Sequence, residues 1–379
     1  MHPVPPRLDP LASVVAHSPA ETRAYLGSPS IVRLPDASLV VSHDFFGPGA
    51  PHDHYGREYL THVYRSADEG AHWERIAEIP GAFWSSLFLH RGALYLLGCT
   101  AEYGDIAIRR SEDGGRSWTT PVDERTGLLF PGGPGRENPN YHCAPVPVTL
   151  HAGRLWRAFE DCHDARWGSG FLALVISAPE DADLLDARRW RMTNKLPYDK
   201  ETDPPSFDRD GKCGWLEGNV VVGPDGRLWN ILRVHSMTPE GHAAMVALDP
   251  ETHTLTFDPE TGFIDFPGGM TKFTIRYDPV SRRYWTLSNN VTNPENPSQR
   301  SVLSLHSSAD LRHWKHERTL LDNSLLPDPE PERQVGFQYV DWQFDGDDLI
   351  AAVRTAYRGA HNFHDSNYIV FQRVPRFRD

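Results

Sequence analysis

The sequence has 379 residues, of which 39% are hydrophobic and 23% are charged, so the chain is long enough to bury a large core. Its formal net charge of -13 argues against a nucleic acid or an anionic membrane surface as a partner, and an acidic ligand would need a local cluster of basic side chains. No stretch approaches the ~18 apolar residues of a membrane span, and residues 1–7 lack the apolar segment of a secretion signal. These features predict a cytoplasmic protein, or a secreted or periplasmic one if a signal has been removed, and they leave the oligomeric state open.

Six short turns, each flanked by apolar, β-branched or aromatic runs, recur along the chain and predict six β-hairpins. A third strand is predicted after each hairpin, and in three units a fourth strand is predicted to start near Trp73, Trp118 or Trp314. The turns are residues 35–38, 90–92, 151–153, 224–226, 279–281 and 345–347, and the third strands are residues 58–66, 105–111, 170–177, 242–248, 301–307 and 367–373.

The pattern S-x-D-x-G-x-x-W occurs at residues 66–73 and 111–118, and a shortened copy without the glycine occurs at residues 308–314. Its chemistry suits a tight turn, because the Asp accepts backbone N–H groups, the Gly takes a positive φ and the Trp anchors the returning strand. A motif that recurs in successive units is a structural device, and it indicates a repeat architecture.

Six four-stranded units without a helix between them predict an all-β fold, a single-domain β-propeller over residues 1–379. We count six blades, with seven not excluded, and expect the ring to be closed by an N-terminal strand near residues 13–16. The long loops should then gather on the face opposite the short turns, and binding chemistry tends to sit on such loops.

The four cysteines have no C-x-x-C spacing, which argues against a zinc ribbon or a redox pair. We expect Cys99, Cys143, Cys162 and Cys213 to be buried free thiols.

The boxes, with a P-D-x-S turn ahead of the first, resemble those of the sialidase-like Asp-box (BNR) β-propeller superfamily. Within it, the chain is similar to the branch of L-rhamnose-α-1,4-D-glucuronate lyases and α-L-rhamnosidases, to which ulvan lyases are related. The similar stretches are residues 42–47, 83–88, 141–145, 215–219, 268–272 and 361–365. The resemblance implies a secreted, carbohydrate-active enzyme, with exo-type β-elimination that releases terminal L-rhamnose from rhamnosyl-α-1,4-glucuronate as the preferred activity.

Sialidases of this fold carry an arginine in an R-I-P motif before the first hairpin, two further arginines for the substrate carboxylate and a tyrosine-glutamate nucleophilic pair. Here residues 28–30 read Ser-Pro-Ser at the place of that motif, and Arg33 lies next to the turn. This departure argues against sialidase activity.

Elimination at a 4-linked uronate needs a cation for the carboxylate, a base for H5 and an acid for the departing oxygen. Arginine suits the first role, and histidine and tyrosine suit the other two. Ulvan-lyase relatives use two histidines about twenty residues apart, then a tyrosine and an arginine. The resemblance therefore assigns catalysis to His43, His62, Tyr141 and Arg157, although His62 is equally well explained as a structural strand residue.

Nine further residues are candidates for substrate binding, each with a structural role as the alternative. Glu217 could hold sugar hydroxyls or pair with Lys272, and aromatic side chains could stack on a sugar ring. In the loop at 361–365, two histidines and Asp365 have the donor types of a metal site, but hydrogen bonding to substrate is preferred. The proposed chemistry requires no cofactor, and a structural calcium or zinc ion is not predicted. The nine are Trp84, Tyr103, His142, Glu217, Lys272, Gln338, Arg354, His361 and His364.

Three functions remain open from the sequence. The first is a polysaccharide lyase, and the second is a glycoside hydrolase, either an α-L-rhamnosidase or a sialidase-like exo-glycosidase, that uses carboxylates such as Asp44, Glu217 or Asp341. The third is a non-catalytic propeller that binds a glycan or a protein. For the two enzyme functions the expected partner is an oligo- or polysaccharide substrate.

Overall fold

The computed structural model describes residues 12–52, 59–133, 137–163, 166–207 and 212–379. In these ranges 28 strands form six antiparallel sheets, joined by loops and by short 3-10 helices. The strands are β1 (Ala12–His17), β2 (Tyr25–Leu26), β3 (Ser30–Arg33), β4 (Leu39–Phe46), β5 (Leu60–Ser66), β6 (Glu74–Pro80), β7 (Phe83–His90), β8 (Ala93–Cys99), β9 (Ile106–Ser111), β10 (Leu128–Phe130), β11 (Tyr141–His142), β12 (Thr149–His151), β13 (Arg154–Cys162), β14 (Phe171–Pro179), β15 (Arg191–Met192), β16 (Leu196–Pro197), β17 (Trp215–Val222), β18 (Leu228–Val234), β19 (His242–Asp249), β20 (Thr254–Thr256), β21 (Phe263–Asp265), β22 (Thr274–Asp278), β23 (Arg283–Asn289), β24 (Val302–Ser308), β25 (Trp314–Asp322), β26 (Gly336–Asp345), β27 (Asp348–Ala356) and β28 (Tyr368–Val374).

Each sheet is one blade of a six-bladed β-propeller, as the turn spacing predicted. The first strands of neighbouring blades pack against each other around the axis: β3 against β7, β17 against β22, β22 against β26, and β26 back against β3. The blades are β2 to β6, β7 to β10, β11 to β16, β17 to β21, β22 to β25, and β26 to β28 with β1. The 3-10 helices span Ala20–Thr22, Ala187–Arg189, Lys200–Thr202, Asn323–Leu325 and Glu332–Gln334. Within the described ranges no helix is both long and apolar enough to span a bilayer.

The hydrophobic core lies between blades, so the inner strands are buried on both faces. Val40 of β4 and Val63 of β5, both in blade one, pack with Leu87 of blade two. Val41 of β4 instead packs with Ile350 of blade six. Because successive side chains of a strand point to opposite faces, neighbouring residues of β4 contact different blades. The alternation therefore decides which neighbouring blade each side chain of β4 contacts.

The three S-x-D boxes form the predicted turns. In the first, Nε1 of Trp73 donates to the carbonyl of Gly70 at 3.1 Å, and Gly70 has a φ of 86°. In the shortened copy Leu311 takes the place of that glycine with a φ of 68°, and Nε1 of Trp314 donates to its carbonyl at 3.0 Å. A leucine in a left-handed conformation closes the same turn because its side chain is fully buried between blades four and five.

The prediction for the fourth strand of blade two was wrong, whereas the predicted pairing of an N-terminal strand with the last blade is confirmed. The fourth strand of blade two does not start near Trp118; it is Leu128–Phe130, because the chain hydrogen-bonds to β9 only briefly, through Thr119 and Arg110, and then makes local turns around Asp123. The strand β1 pairs with β28, so the sixth sheet combines both ends of the described chain. That the whole chain is one domain stays a prediction. All four cysteines are buried thiols outside any disulfide bond, as expected.

Candidate active site

A group of polar side chains meets at the axis, at the end of the ring opposite the short turns. First strands of blades start at this end and second strands return to it, so residues near those starts and ends converge. We call the side chains of Glu217, Arg233, Arg300, Tyr339 and Arg354 the axial site. Glu217 and Tyr339 lie near the starts of β17 and β26, Arg233 and Arg354 lie near the ends of β18 and β27, and Arg300 lies in the loop before β24.

Three first strands are distorted at equivalent places. The register of β7, β17 and β26 shifts at a bulge, and each bulge holds a bulky residue in the left-handed region: Trp84 at 50°, Glu217 at 58° and Tyr339 at 51°. A bulge re-aims a side chain out of the alternation of its strand. A non-glycine residue held in this region costs on the order of 1–3 kcal/mol, and such strain clusters at functional sites.

The hydroxyl of Tyr339 donates a hydrogen bond to Oε1 of Glu217 at 2.8 Å. Burial raises the pKa of Tyr339, and the charge of Glu217 raises it further, so the proton rests on the phenol. Burial alone would also raise the pKa of Glu217, but the charge of Arg233 and the hydrogen bonds outweigh it, and that pKa ends below its usual value. The pair is therefore a neutral phenol beside an ionised carboxylate.

Three arginines surround this pair. Nη1 of Arg233 lies 2.7 Å from Oε2 of Glu217 and 3.4 Å from the hydroxyl of Tyr339. The guanidinium carbons of Arg300 and Arg354 lie 5.7 Å and 4.8 Å from the centre of the Tyr339 ring. Among the described atoms, Nε of Arg233 and Nε of Arg300 are buried without a hydrogen-bond partner. Three positive charges against one carboxylate make the axial site electropositive in a chain whose net charge is -13.

Asp44 and Lys272 lie near the axial site but are already engaged. The carboxylate of Asp44 accepts the backbone N–H of Ser28 at 2.9 Å and that of Trp84 at 2.6 Å, and burial raises its pKa to about 7. Nζ of Lys272 donates to Oγ1 of Thr274 at 2.7 Å and to a backbone carbonyl of β26 at 2.6 Å, and burial lowers its pKa to about 7. Lys272 thereby joins blades five and six.

On the side of blades two and three, His142, Trp84 and Tyr103 form a mostly aromatic wall. The ring of His142 lies 4.4 Å from that of Trp84 and 6.1 Å from that of Tyr103. Nδ1 of His142 lies 2.8 Å from Oε2 of Glu160, a fully buried carboxylate. The wall borders the axial site, because Oε1 of Glu160 accepts the backbone N–H of Gly218, the residue after Glu217, at 3.2 Å.

The structure brings His43 and His62 together, with ring centres 5.9 Å apart, but between blades one and six. His43 shares the face of Val41 and Phe45, stacks on Tyr64 and is 1% exposed, whereas Asp44 points to the other face. Burial lowers the pKa of His43 to about 3 and that of His62 to about 4, so both rings are neutral.

Tyr141 and Arg157 lie in the interface of blades two and three. Tyr141 is buried in that hydrophobic cluster, with Nζ of Lys195 5.3 Å from the centre of its ring. Arg157 is fully buried, and its Nη2 donates to the carbonyl of Ala144 and to Oγ of Ser86. The contacts of this pair thus belong to different blades from those of His43 and His62.

The remaining candidates, Gln338, His361 and His364, contact loop residues. The side-chain amide of Gln338 joins Arg300 and the carbonyl of Phe363. In the loop after β27, Nδ1 of His361 and Nδ1 of His364 both contact the carboxylate of Asp365, at 2.7 Å and 2.9 Å. Among the residues with described positions, no group of three or more His, Cys, Asp or Glu side chains is arranged to hold a metal ion.

Three members of the axial site, Tyr339, Arg233 and Arg300, were not among the predicted site residues. For two of them the signal was their position: Arg233 lies across the hairpin from Leu216, the neighbour of Glu217, and Tyr339 lies near the start of the first strand of blade six. Residues 53–58, 134–136, 164–165 and 208–211, in the long connections between strands, lie outside the described residues.

No protein-family model matches the chain, and no curated protein matches its sequence. Solved structures share its fold. The α-L-arabinanase of Penicillium chrysogenum complexed with arabinobiose is 15% identical, covers 97% of this chain and 98% of its own, and has a TM-score of 0.57. An α-L-arabinofuranosidase from Fusarium graminearum is 12% identical, with coverages of 96% and 97% and a TM-score of 0.61. The intramolecular trans-sialidase of Ruminococcus gnavus, in complex with oseltamivir carboxylate, is 13% identical, with coverages of 95% and 96% and a TM-score of 0.55. The chain therefore has the fold of the sialidase-like β-propellers.

Proposed function

We propose that the protein is a glycoside hydrolase that removes a carboxylate-bearing sugar from the end of a glycan. The observation that carries this proposal is the hydrogen bond from Tyr339 to Glu217 inside a cluster of three arginines. Tyrosine is the nucleophile of sialidases. The arginines would bind the sugar carboxylate, since their planar forks match it and two of them have a buried Nε without a partner among the described atoms.

The proposed mechanism starts from the proton that the phenol of Tyr339 carries before the reaction. As the phenol oxygen of Tyr339 bonds to the anomeric carbon, its proton passes to Glu217, 2.8 Å away, and the glycosidic bond breaks. The surrounding arginines stabilise phenolate character that develops on the oxygen. Water then attacks the anomeric carbon and gives up one proton, which balances the proton that the departing sugar oxygen takes up, the bond to Tyr339 breaks, and Glu217 returns its proton to the phenol.

The first-blade arginine of the R-I-P motif is replaced by Ser28-Pro29-Ser30 in this chain. Arg354, which comes from blade six, contacts the same tyrosine ring and supplies the third positive charge. The missing motif therefore does not exclude an acidic substrate. It does indicate a carboxylate held from a different direction, so the sugar acid need not be sialic acid.

Elimination at a rhamnosyl-α-1,4-glucuronate linkage is the second candidate, because it also needs cations around a carboxylate and a tyrosine can serve as base or acid. In that case Tyr339 and the arginines would take the roles first assigned to His43, His62, Tyr141 and Arg157. Hydrolysis is preferred because Tyr339 has a carboxylate partner placed to take its proton, as a nucleophile requires.

The test compares the 4-methylumbelliferyl glycosides of N-acetylneuraminate and glucuronate with those of glucose and arabinofuranose, and adds a rhamnose-capped glucuronate glycan. We expect turnover of an acidic glycoside only, and a loss of ~10² or more in kcat/KM for Tyr339→Phe. Release of rhamnose with the ultraviolet absorbance of an unsaturated uronate would establish elimination instead. Preferred turnover of the neutral glycosides, unchanged in Tyr339→Phe, would refute the proposal.

A further inference from the structure

The axial site holds a nucleophile and its proton acceptor but no donor for the departing oxygen. The proton of Tyr339 goes to Glu217, and arginines do not release a proton in the working range of proteins. A natural sugar leaving group is a poor one, and protonation of its oxygen contributes typically 10²–10⁴-fold to such reactions. A proton donor is therefore expected on a side chain that borders the axial site.

His142 has the surroundings of such a donor. Nδ1 of the ring lies 2.8 Å from Oε2 of Glu160, and Oε1 of Glu160 accepts the backbone N–H of Gly218 at 3.2 Å. Gly218 follows Glu217 directly, so this carboxylate is anchored to the bulge that presents the Tyr339 partner. Since Glu160 is an acceptor, Nδ1 of His142 donates, and Nε2 is the ring nitrogen left for proton transfer.

The ring is also fixed in place. It lies between Trp84, at 4.4 Å, and Phe171, at 4.9 Å, with Tyr103 6.1 Å away. A fully buried carboxylate behind a histidine holds its tautomer and orientation and stabilises the imidazolium, which is the arrangement that histidine acid–base catalysts use.

Two other titratable side chains near the axial site, Asp44 and His364, are held by neighbouring groups. Both oxygens of Asp44 accept backbone N–H groups, from Ser28 and Trp84. His364 contacts Asp365 at the rim, and its side chain is 47% exposed.

We propose that His142, oriented by Glu160, is the acid–base residue of the reaction. This rests on the proposed hydrolase function. In the first step Nε2–H of His142 gives its proton to the glycosidic oxygen as that oxygen leaves the anomeric carbon. In the second step neutral Nε2 takes a proton from the attacking water while the bond to Tyr339 breaks, so every group returns to its starting state.

The test varies the leaving group. Nitrophenolate departs from an acidic glycoside without being protonated. An alkyl alcohol or a sugar linked to the same acidic sugar must have its oxygen protonated as it departs. For His142→Gln we expect kcat/KM to fall by ~10² or more on the alkyl glycoside but by less than about 10-fold on the nitrophenyl glycoside. Added azide should restore turnover and give a glycosyl azide, because azide attacks without a base. Glu160→Gln, which retains an acceptor for Gly218, should show the same pattern more weakly, with folding checked by thermal melting.

Asp44→Asn and Tyr339→Phe are the controls. Asp44→Asn should lower kcat/KM by the same factor on both substrates, and Tyr339→Phe should lower it by ~10² or more on both. Equal losses for His142→Gln on the two substrates, or a leaving-group dependence that appears in Asp44→Asn instead, would overturn the role of His142 while the hydrolase stands. A wild-type protein inactive on both substrates would overturn the hydrolase and the donor together.

Discussion

Replacement of Asp44 by asparagine tests whether this carboxyl near the axial site is buried, through the pH dependence of the free energy of unfolding. Burial raises the pKa of this carboxyl from its usual 3.8 to about 7. Between those values the unfolded chain releases the proton and the folded protein keeps it, so unfolding becomes more favourable as the pH rises. The wild-type protein should therefore lose stability from about pH 4 to about pH 7 through this one group, and no more above that.

The magnitude follows from the difference between the two pKa values, which at about 1.36 kcal/mol for each factor of ten is about 4 kcal/mol. Asparagine does not titrate, so Asp44→Asn lacks this loss. It also carries an offset independent of pH, roughly 1–3 kcal/mol, because its amide offers one acceptor to the two N–H groups of Ser28 and Trp84. Relative to the wild type, the variant should gain about 4 kcal/mol between pH 4 and pH 8.

Urea unfolding at several pH values, followed by the fluorescence of the 11 tryptophans, measures this difference. Asp113→Asn is a suitable control, since hydrogen bonds from Ser117 outweigh its slight burial and lower the pKa of that carboxyl to about 2. Its contribution is present above the unfolded pKa and is lost only as the pH falls toward 2, so its stability difference should stay constant from pH 4 to pH 8. Parallel curves for Asp44→Asn and the wild type would refute the reasoning.

Two further predictions concern packing and the axial charges. Gly70→Ala should cost about 2–4 kcal/mol of unfolding free energy, because a Cβ there would lie 2.3 Å from the ring of Phe371 and the φ is 86°. Gly92→Ala, with a φ of 83° and open space around it, should cost only the backbone part, about 1–2 kcal/mol; equal costs in urea unfolding would contradict the packing. Arg233→Met should cost ~3–5 kcal/mol because it leaves Glu217 buried without its ion-pair partner, and adding Glu217→Gln should restore much of that; a double-mutant cycle that shows no coupling would contradict a buried pair.

Much of the fold was predictable because its signals are local. Each short turn needs residues that tolerate its φ, and each S-x-D box satisfies its own backbone, so both can be recognised without knowing what packs on them. The fourth strand of blade two could not be placed in this way, since the chain leaves β9 after Thr119 and returns to regular strand pairing only at Leu128.

The site was less predictable because it depends on strand alternation and bulges. His43 and Asp44 are neighbours on β4 and both were candidates in the sequence, yet His43 packs toward blade six, whereas Asp44 points to the other face and accepts the backbone N–H of Trp84. Glu217 and Arg354 were recognised as candidates, but Tyr339 reaches Glu217 only through a left-handed bulge in a strand whose sequence gives no sign of one. Arg233 and Arg300 are far from Tyr339 along the chain and contact it only after the ring of blades forms.

The pairing of β1 with β28 also affects how the protein is made. Ala12 pairs with Gln372, so β1 leaves the ribosome well before its partner β28 and must wait for it. Until then blade six lacks its outer strand, and an exposed strand edge invites association with other chains. Tyr339 and Arg354 lie in that blade, so the nascent protein should be inert toward any ligand of the axial site during translation.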